Sequence, residues 1–133
     1  MSRETVELVR RAYGAFNRGD LEAMVLVAAP EFEYVATGAI PGAGGVYRGA
    51  EEFVQFLDRW WGEFDEPRVE VHELIEARDQ VLASVTFRGH GKQSGVEANW
   101  NLWQLWTVRD GKFVRGRGLT SRQEALDAAA VRE

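Results

Sequence analysis

The stretch Trp100-Asn101-Leu102-Trp103-Gln104-Leu105-Trp106-Thr107-Val108-Arg109-Asp110-Gly111-Lys112-Phe113 decides the fold. Trp100, Leu102, Gln104, Trp106 and Val108 fall on alternate positions, and all but Gln104 are apolar. A period of two is the signature of a strand with one face in a core. Asp110-Gly111 is a strong hairpin signal, because a two-residue turn of the favoured hand needs positive φ at both positions. Val96 to Val108 is thus expected as a long strand, and Phe113 to Leu119 as its antiparallel partner.

The same period runs back towards the N-terminus. Val81, Ala83, Val85 and Phe87 alternate with Leu82, Ser84, Thr86 and Arg88, and Val69 and Val71 alternate with Glu70 and His72. Asp79-Gln80 and the segment from Gly89 to Gly95 separate these runs as turns. Before Pro67 the period becomes helical. Phe53, Phe56, Leu57, Trp60 and Phe64 form a stripe that begins after Gly49, with Glu51 and Glu52 in the first turn where the helix dipole favours them. From Glu4 to Asn17 the apolar face is Val6, Val9, Tyr13 and Phe16. Gly19 ends that helix, Asp20 caps a second over Leu21 to Ala29, and Pro30 stops it. Glu31 to Ala36 is expected as a first strand, and Gly38 to Gly45 as a connection or a loop over a cavity mouth. Ser121 and Glu124 have capping-box spacing ahead of a short helix through Ala130.

Helices therefore come first and hairpin-connected strands follow, which makes the chain α+β with an antiparallel sheet. Three helices cannot cover so long a sheet. It must curl, and the concavity is a natural place for a small molecule. One domain spanning residues 1–133 suits this length. The chain has no cysteine, which excludes disulfides and thiolate chemistry. Its 16 Lys and Arg against 21 Asp and Glu argue against a nucleic-acid partner. The N-terminus carries an early acid and no long apolar run, so a membrane partner is not expected and the default location is the cytoplasm.

Several segments together resemble one family. Tyr13-Gly14-Ala15-Phe16-Asn17-Arg18-Gly19-Asp20-Leu21 is similar to the helix-turn-helix opening of SnoaL-like proteins, a branch of the nuclear transport factor 2-like superfamily. Tyr47-Arg48-Gly49, Trp106 to Lys112 and Glu124-Ala125-Leu126 resemble its later segments, in the same order. The resemblance implies a cone-shaped, curved antiparallel or mixed sheet wrapped around N-terminal helices, a cystatin-like α+β barrel. It also implies a central cavity and a homodimer formed through the outer sheet face. It does not imply one chemistry, because polyketide cyclases, ketosteroid isomerases, dehydratases, epoxide hydrolases and non-catalytic binding proteins share it.

Isomerase or cyclase chemistry needs a carboxylate base and a donor for an enolate oxygen. Where the resemblance places the base, this chain reads Val35-Ala36-Thr37-Gly38, and Glu33 is the nearest acid. The residues expected around a pocket are Tyr13, Tyr34, Trp60, His72, Trp100, Gln104 and Trp106. Gln104 stands where many relatives carry histidine. It can hydrogen-bond but cannot exchange protons near neutral pH. His72 lies among acids and reads either as a pocket acid-base group or as a surface strand residue. The five tryptophans are either a heavy aromatic core or an aromatic wall for a flat ligand. His72 and His90 are the only histidines and lack metal-ligand spacing, so no metal and no cofactor are expected.

Two broad readings follow: a cofactor-free isomerase or cyclase acting on a hydrophobic compound, or a non-catalytic module for ligand binding or dimerisation. Tyr13→Phe is expected to change stability little and ligand affinity more. A face half polar and half apolar, with Trp103 and Leu105 exposed, would favour the dimer.

Overall fold

The Asp110-Gly111 hairpin forms as its sequence requires. In the computed structural model, which describes residues 2–38 and 44–130, φ is 52° at Asp110 and 74° at Gly111. The elements in chain order are α1 (Ser2–Asn17), α2 (Leu21–Leu26), β1 (Ala28–Ala36), β2 (Gly45–Arg48) and α3 (Ala50–Trp61). After them come β3 (Phe64–Ala77), β4 (Gln80–Gly91), β5 (Glu97–Arg109), β6 (Lys112–Leu119) and α4 (Arg122–Ala130).

The strands form one curved, unclosed sheet in the order β2-β1-β6-β5-β4-β3. All neighbours are antiparallel except β1 and β6, which run parallel. Hairpin reasoning finds only neighbours in sequence, so this parallel pair lay beyond it. Its reason is topological. After β2 and α3, the chain enters the far edge at β3 and returns by hairpins until β6 meets β1.

The structure corrects several boundaries. The helix expected to run to Ala29 ends at Leu26, because Val27 already hands its carbonyl to the Phe113 N–H and the chain becomes strand. Pro30 therefore sits inside β1, in the stretch between Ala28 and Glu33 where the register with β6 shifts. A residue without an N–H fits an irregular rung. Phe64 belongs to β3 and not to the α3 stripe. Pro67 lies in that strand beside Glu66, whose φ is 51°, within another register shift. β2 was not foreseen. It is four residues long, and Tyr47 anchors it by stacking on Phe56 at 4.3 Å. Residues 39–43 of the expected Gly38–Gly45 loop lie outside the described residues.

Two apolar layers result. The larger lies between the concave sheet face and α1 and α3, with Val9, Tyr13, Phe53, Val85 and Trp106 in it. The smaller lies on the convex face, where α4 covers Leu82, Leu105 and Leu119. Leu105 is therefore buried, not exposed, and Trp103 is half-buried with the Arg122 guanidinium 5.3 Å from its ring. The capping box holds with one variation. Ser121 Oγ accepts from the Glu124 N–H, while the Glu124 carboxylate takes the N–H of Thr120. The Thr120 N–H and hydroxyl, both donating to it, hold its carboxyl below the usual range.

Candidate functional site

The site is built on the inward row of β5. Gln104 stands there between Leu102 and Trp106, opposite Ala83 of β4 and Gly118 of β6. α1 brings Tyr13 over this row, and the end of α1 is fixed by Asn17. Its side-chain amide accepts from the Val69 N–H at 2.8 Å and donates to the Val69 carbonyl at 2.9 Å. This pair imitates a rung of the sheet and ties helix to strand.

Tyr34 comes from β1, with β6 between it and Gln104. It can reach across because β6 carries glycine there. Gly116 is the partner of Tyr34 on one side and Trp106 on the other. A Cβ at Gly116 would collide with the Trp106 and Tyr34 rings, and one at Gly118 would stand 3.3 Å from the Tyr34 hydroxyl. The Tyr34 ring fills this space, 4.6 Å from Phe53 and 5.6 Å from Trp106 between centroids.

The polar atoms form one chain. The Trp106 indole N–H donates to the Tyr13 hydroxyl at 2.8 Å, Tyr13 donates to Gln104 Oε1 at 2.5 Å, and Gln104 Nε2 donates to the Tyr34 hydroxyl at 2.7 Å. An indole only donates, so the direction at Tyr13 is set by chemistry. Four buried polar side chains thereby satisfy one another, which removes the cost of an unpaired buried group, about 1–3 kcal/mol each. Burial raises both phenols: Tyr34 is pushed up to about 12, despite the Gln104 hydrogen bond that lowers it, and Tyr13 higher still. Both stay neutral at physiological pH.

Two cavities adjoin this chain. The larger has a volume of about 60 Å³, reaches Tyr13, Gln104 and Trp106, and continues between α2 and α3 past Met24 and Val54. The smaller has about 40 Å³ and reaches Tyr34, Trp60 and Gln104. Each is the size of one or two waters, at about 30 Å³ per water. Ligand pockets for drug-sized molecules run from roughly 300 Å³ upward. An organic occupant therefore has to displace side chains. The described residues around both cavities include no carboxylate and no imidazole. The segment Ala39-Ile40-Pro41-Gly42-Ala43 contains no ionisable side chain either.

The expected site residues divide. Tyr13, Tyr34, Gln104 and Trp106 meet in one network. Trp60 lines the smaller cavity, and Trp100 packs on it at 5.5 Å in the aromatic group at the end of α3. His72 is set apart. It is exposed on the convex face, in the register shift between Val71 and Glu73, and its Nε2 is 2.7 Å from Thr86 Oγ1. Glu33 is likewise outside the cavities, 3.5 Å from Arg48. The described residues contain no group of three potential metal ligands.

Sequence reasoning missed Phe53 as a cavity wall and Gly116 and Gly118 as the space-makers. The signal for the glycines was present in Arg115-Gly116-Arg117-Gly118. Glycine at alternate positions inside a strand marks a face that something approaches closely.

A family model described as a SnoaL-like domain matches residues 9–116. No curated protein matches the chain. A nuclear transport factor 2-like protein from Burkholderia thailandensis is 28% identical, with a TM-score of 0.79 over 95% of this chain and 96% of that one. A putative SnoaL-like polyketide cyclase from a Jannaschia species is 18% identical, with a TM-score of 0.78 over 97% and 93% of the two chains. TerC, co-crystallised with polyporic acid, is 24% identical, with a TM-score of 0.75 over 95% and 97%.

Proposed function

This chain belongs to the SnoaL-like domain family, of nuclear transport factor 2-like fold, and from that premise we propose that it binds a small, neutral, mostly apolar molecule between its helices and sheet. The observation that carries this reading is the Tyr13–Gln104–Tyr34 chain at the wall shared by the two cavities. Buried hydroxyls and an amide orient a ligand through its carbonyl, ether or hydroxyl oxygen. They do not remove a proton from carbon, because no described group beside them accepts one near neutral pH. Binding therefore fits the site better than isomerase or cyclase turnover. That TerC, of the same fold, was co-crystallised with polyporic acid supports a small organic occupant.

The test has two parts. A panel of neutral ketones and phenols is screened by thermal denaturation. A true ligand at about 100 times its Kd adds roughly 2.7 kcal/mol of stability, visible as a shift in Tm. Deuterium exchange at the carbon next to the carbonyl is then followed for each ketone that binds. Exchange at the buffer rate fits the binding reading, and acceleration by the protein refutes it in favour of proton-transfer catalysis.

Pairing with a second copy through the convex face is a separate proposal. α4 occupies the part of that face around Leu105, so the open part is the polar surface of Asn99 and Asn101. Sedimentation of the chain and of Asn101→Arg tests it, and a mass unchanged by the substitution at all concentrations counts against that surface.

A further inference from the structure

The two cavities share a wall, and we infer that they are two lobes of one site for an elongated neutral molecule with apolar ends and a hydrogen-bond acceptor at its middle. This rests on the binding reading above and adds the shape and polarity of the occupant.

Phe53, Leu57, Phe87 and Gln104 face both cavities. Tyr13 and Trp106 face only the larger, and Tyr34 and Trp60 only the smaller. The Gln104 amide spans the divide. Its Oε1 accepts from the tyrosine of one lobe and its Nε2 donates to the tyrosine of the other. The apolar part of the divide is Phe53 and Leu57, one turn apart on α3, together with Phe87 of β4. These are side chains alone, so rotamer changes can join the lobes without breaking the sheet.

Volume decides against a ring held in one undisturbed lobe. A dry apolar cavity of about 150 Å³ accepts benzene. The lobes are about 60 Å³ and 40 Å³, so neither receives a ring as it stands. A molecule that displaces the divide gains both spaces together with the room that Phe53, Leu57 and Phe87 leave, and buries apolar surface in each lobe. Its middle then lies beside Gln104. Tyr34 accepts from Gln104 and so has its own proton to give, which an ether or carbonyl oxygen can take. Charged ends are disfavoured, because the described residues around the lobes carry no counter-charge and burying an unpaired ion is costly.

Benzophenone, with two rings joined at a carbonyl, and acetophenone, with one, are the probes. The chain is labelled with fluorinated tryptophan, and Trp60→Phe and Trp106→Phe serve only to assign two of its five fluorine resonances. Trp103 on the convex face is the internal control. Benzophenone is expected to bind at least about tenfold more tightly than acetophenone, a difference of about 1.4 kcal/mol. It should also shift the Trp60 and Trp106 resonances together and leave Trp103 unmoved. Equal affinity with only one of the two resonances shifted overturns the two-lobe inference but leaves the binding reading intact. Silence from both probes, while another member of the wider panel binds, overturns the inference alone. Silence from the whole panel overturns both.

Discussion

Two hydrogen-bonded chains of side chains lie on opposite faces of the same strands, and they differ in kind. On the concave face Tyr13, Gln104 and Tyr34 are buried, neutral and walled by aromatic rings. On the convex face Thr86 donates to Asn101 at 2.6 Å and meets exposed His72, with Glu70 and Arg88 paired nearby at 2.9 Å. The Arg88 guanidinium beside it holds the Glu70 carboxyl below its usual range. Gln104 and Asn101 are three residues apart on β5, an odd number, so alternation sends them to opposite faces. The charge-changing groups thus stand outside and the fixed dipoles inside. The ionisable side chains and the buried hydroxyl and amide groups are separated by the thickness of one sheet.

The inner chain is the more sensitive of the two, and Gln104 is its most sensitive position. Gln104→Ala removes both inner bonds and leaves a void, and should cost about 3–4 kcal/mol by urea denaturation. Gly116→Ala comes next. Its methyl forces apart Tyr34 and Trp106, for about 2–3 kcal/mol of overpacking in the same measurement. Tyr13→Phe strands the Trp106 N–H and the Gln104 oxygen, so about 1–2 kcal/mol is expected, where sequence alone suggested little change.

The pH dependence follows from the raised phenols. A group whose folded pKa lies above its unfolded value, about 10 for tyrosine, stabilises fully below that value and less as pH rises past it. Stability should therefore hold to about pH 10 and fall towards pH 12, and Tyr34→Phe should soften that fall. The smallest effect is outside. His72→Ala at an exposed site should change stability by less than about 0.5 kcal/mol and leave affinity for any cavity ligand unaltered, as calorimetry would show.

Most of this contrast was legible in the alternation of β4 and β5. Trp100, Leu102, Gln104, Trp106 and Val108 do share one face. His72 was expected at the pocket, although its alternation with Val71 allowed the outer face on which it stands. What alternation could not supply was distance across the sheet. Tyr34 and Gln104 are 70 residues apart, and they meet only because β6 pairs with β1 in parallel and carries glycine between them. The edge strand β2 was hidden by its brevity, and Pro30 by a register shift that no local pattern announces. The cover that α4 gives Leu105 was hidden as well, because a nine-residue helix whose only large apolar residue is Leu126 has little apolar period to read.

By the binding reading proposed above, a ligand meets only neutral groups. Calorimetric titration of the tightest neutral ligand between about pH 5 and pH 9 tests it, since carboxylates and imidazoles commonly change charge within or near that window and buried phenols do not. A Kd that stays constant across the range is the predicted result. A sigmoidal change in Kd with a midpoint inside it would set a titrating side chain beside the ligand and refute that reading.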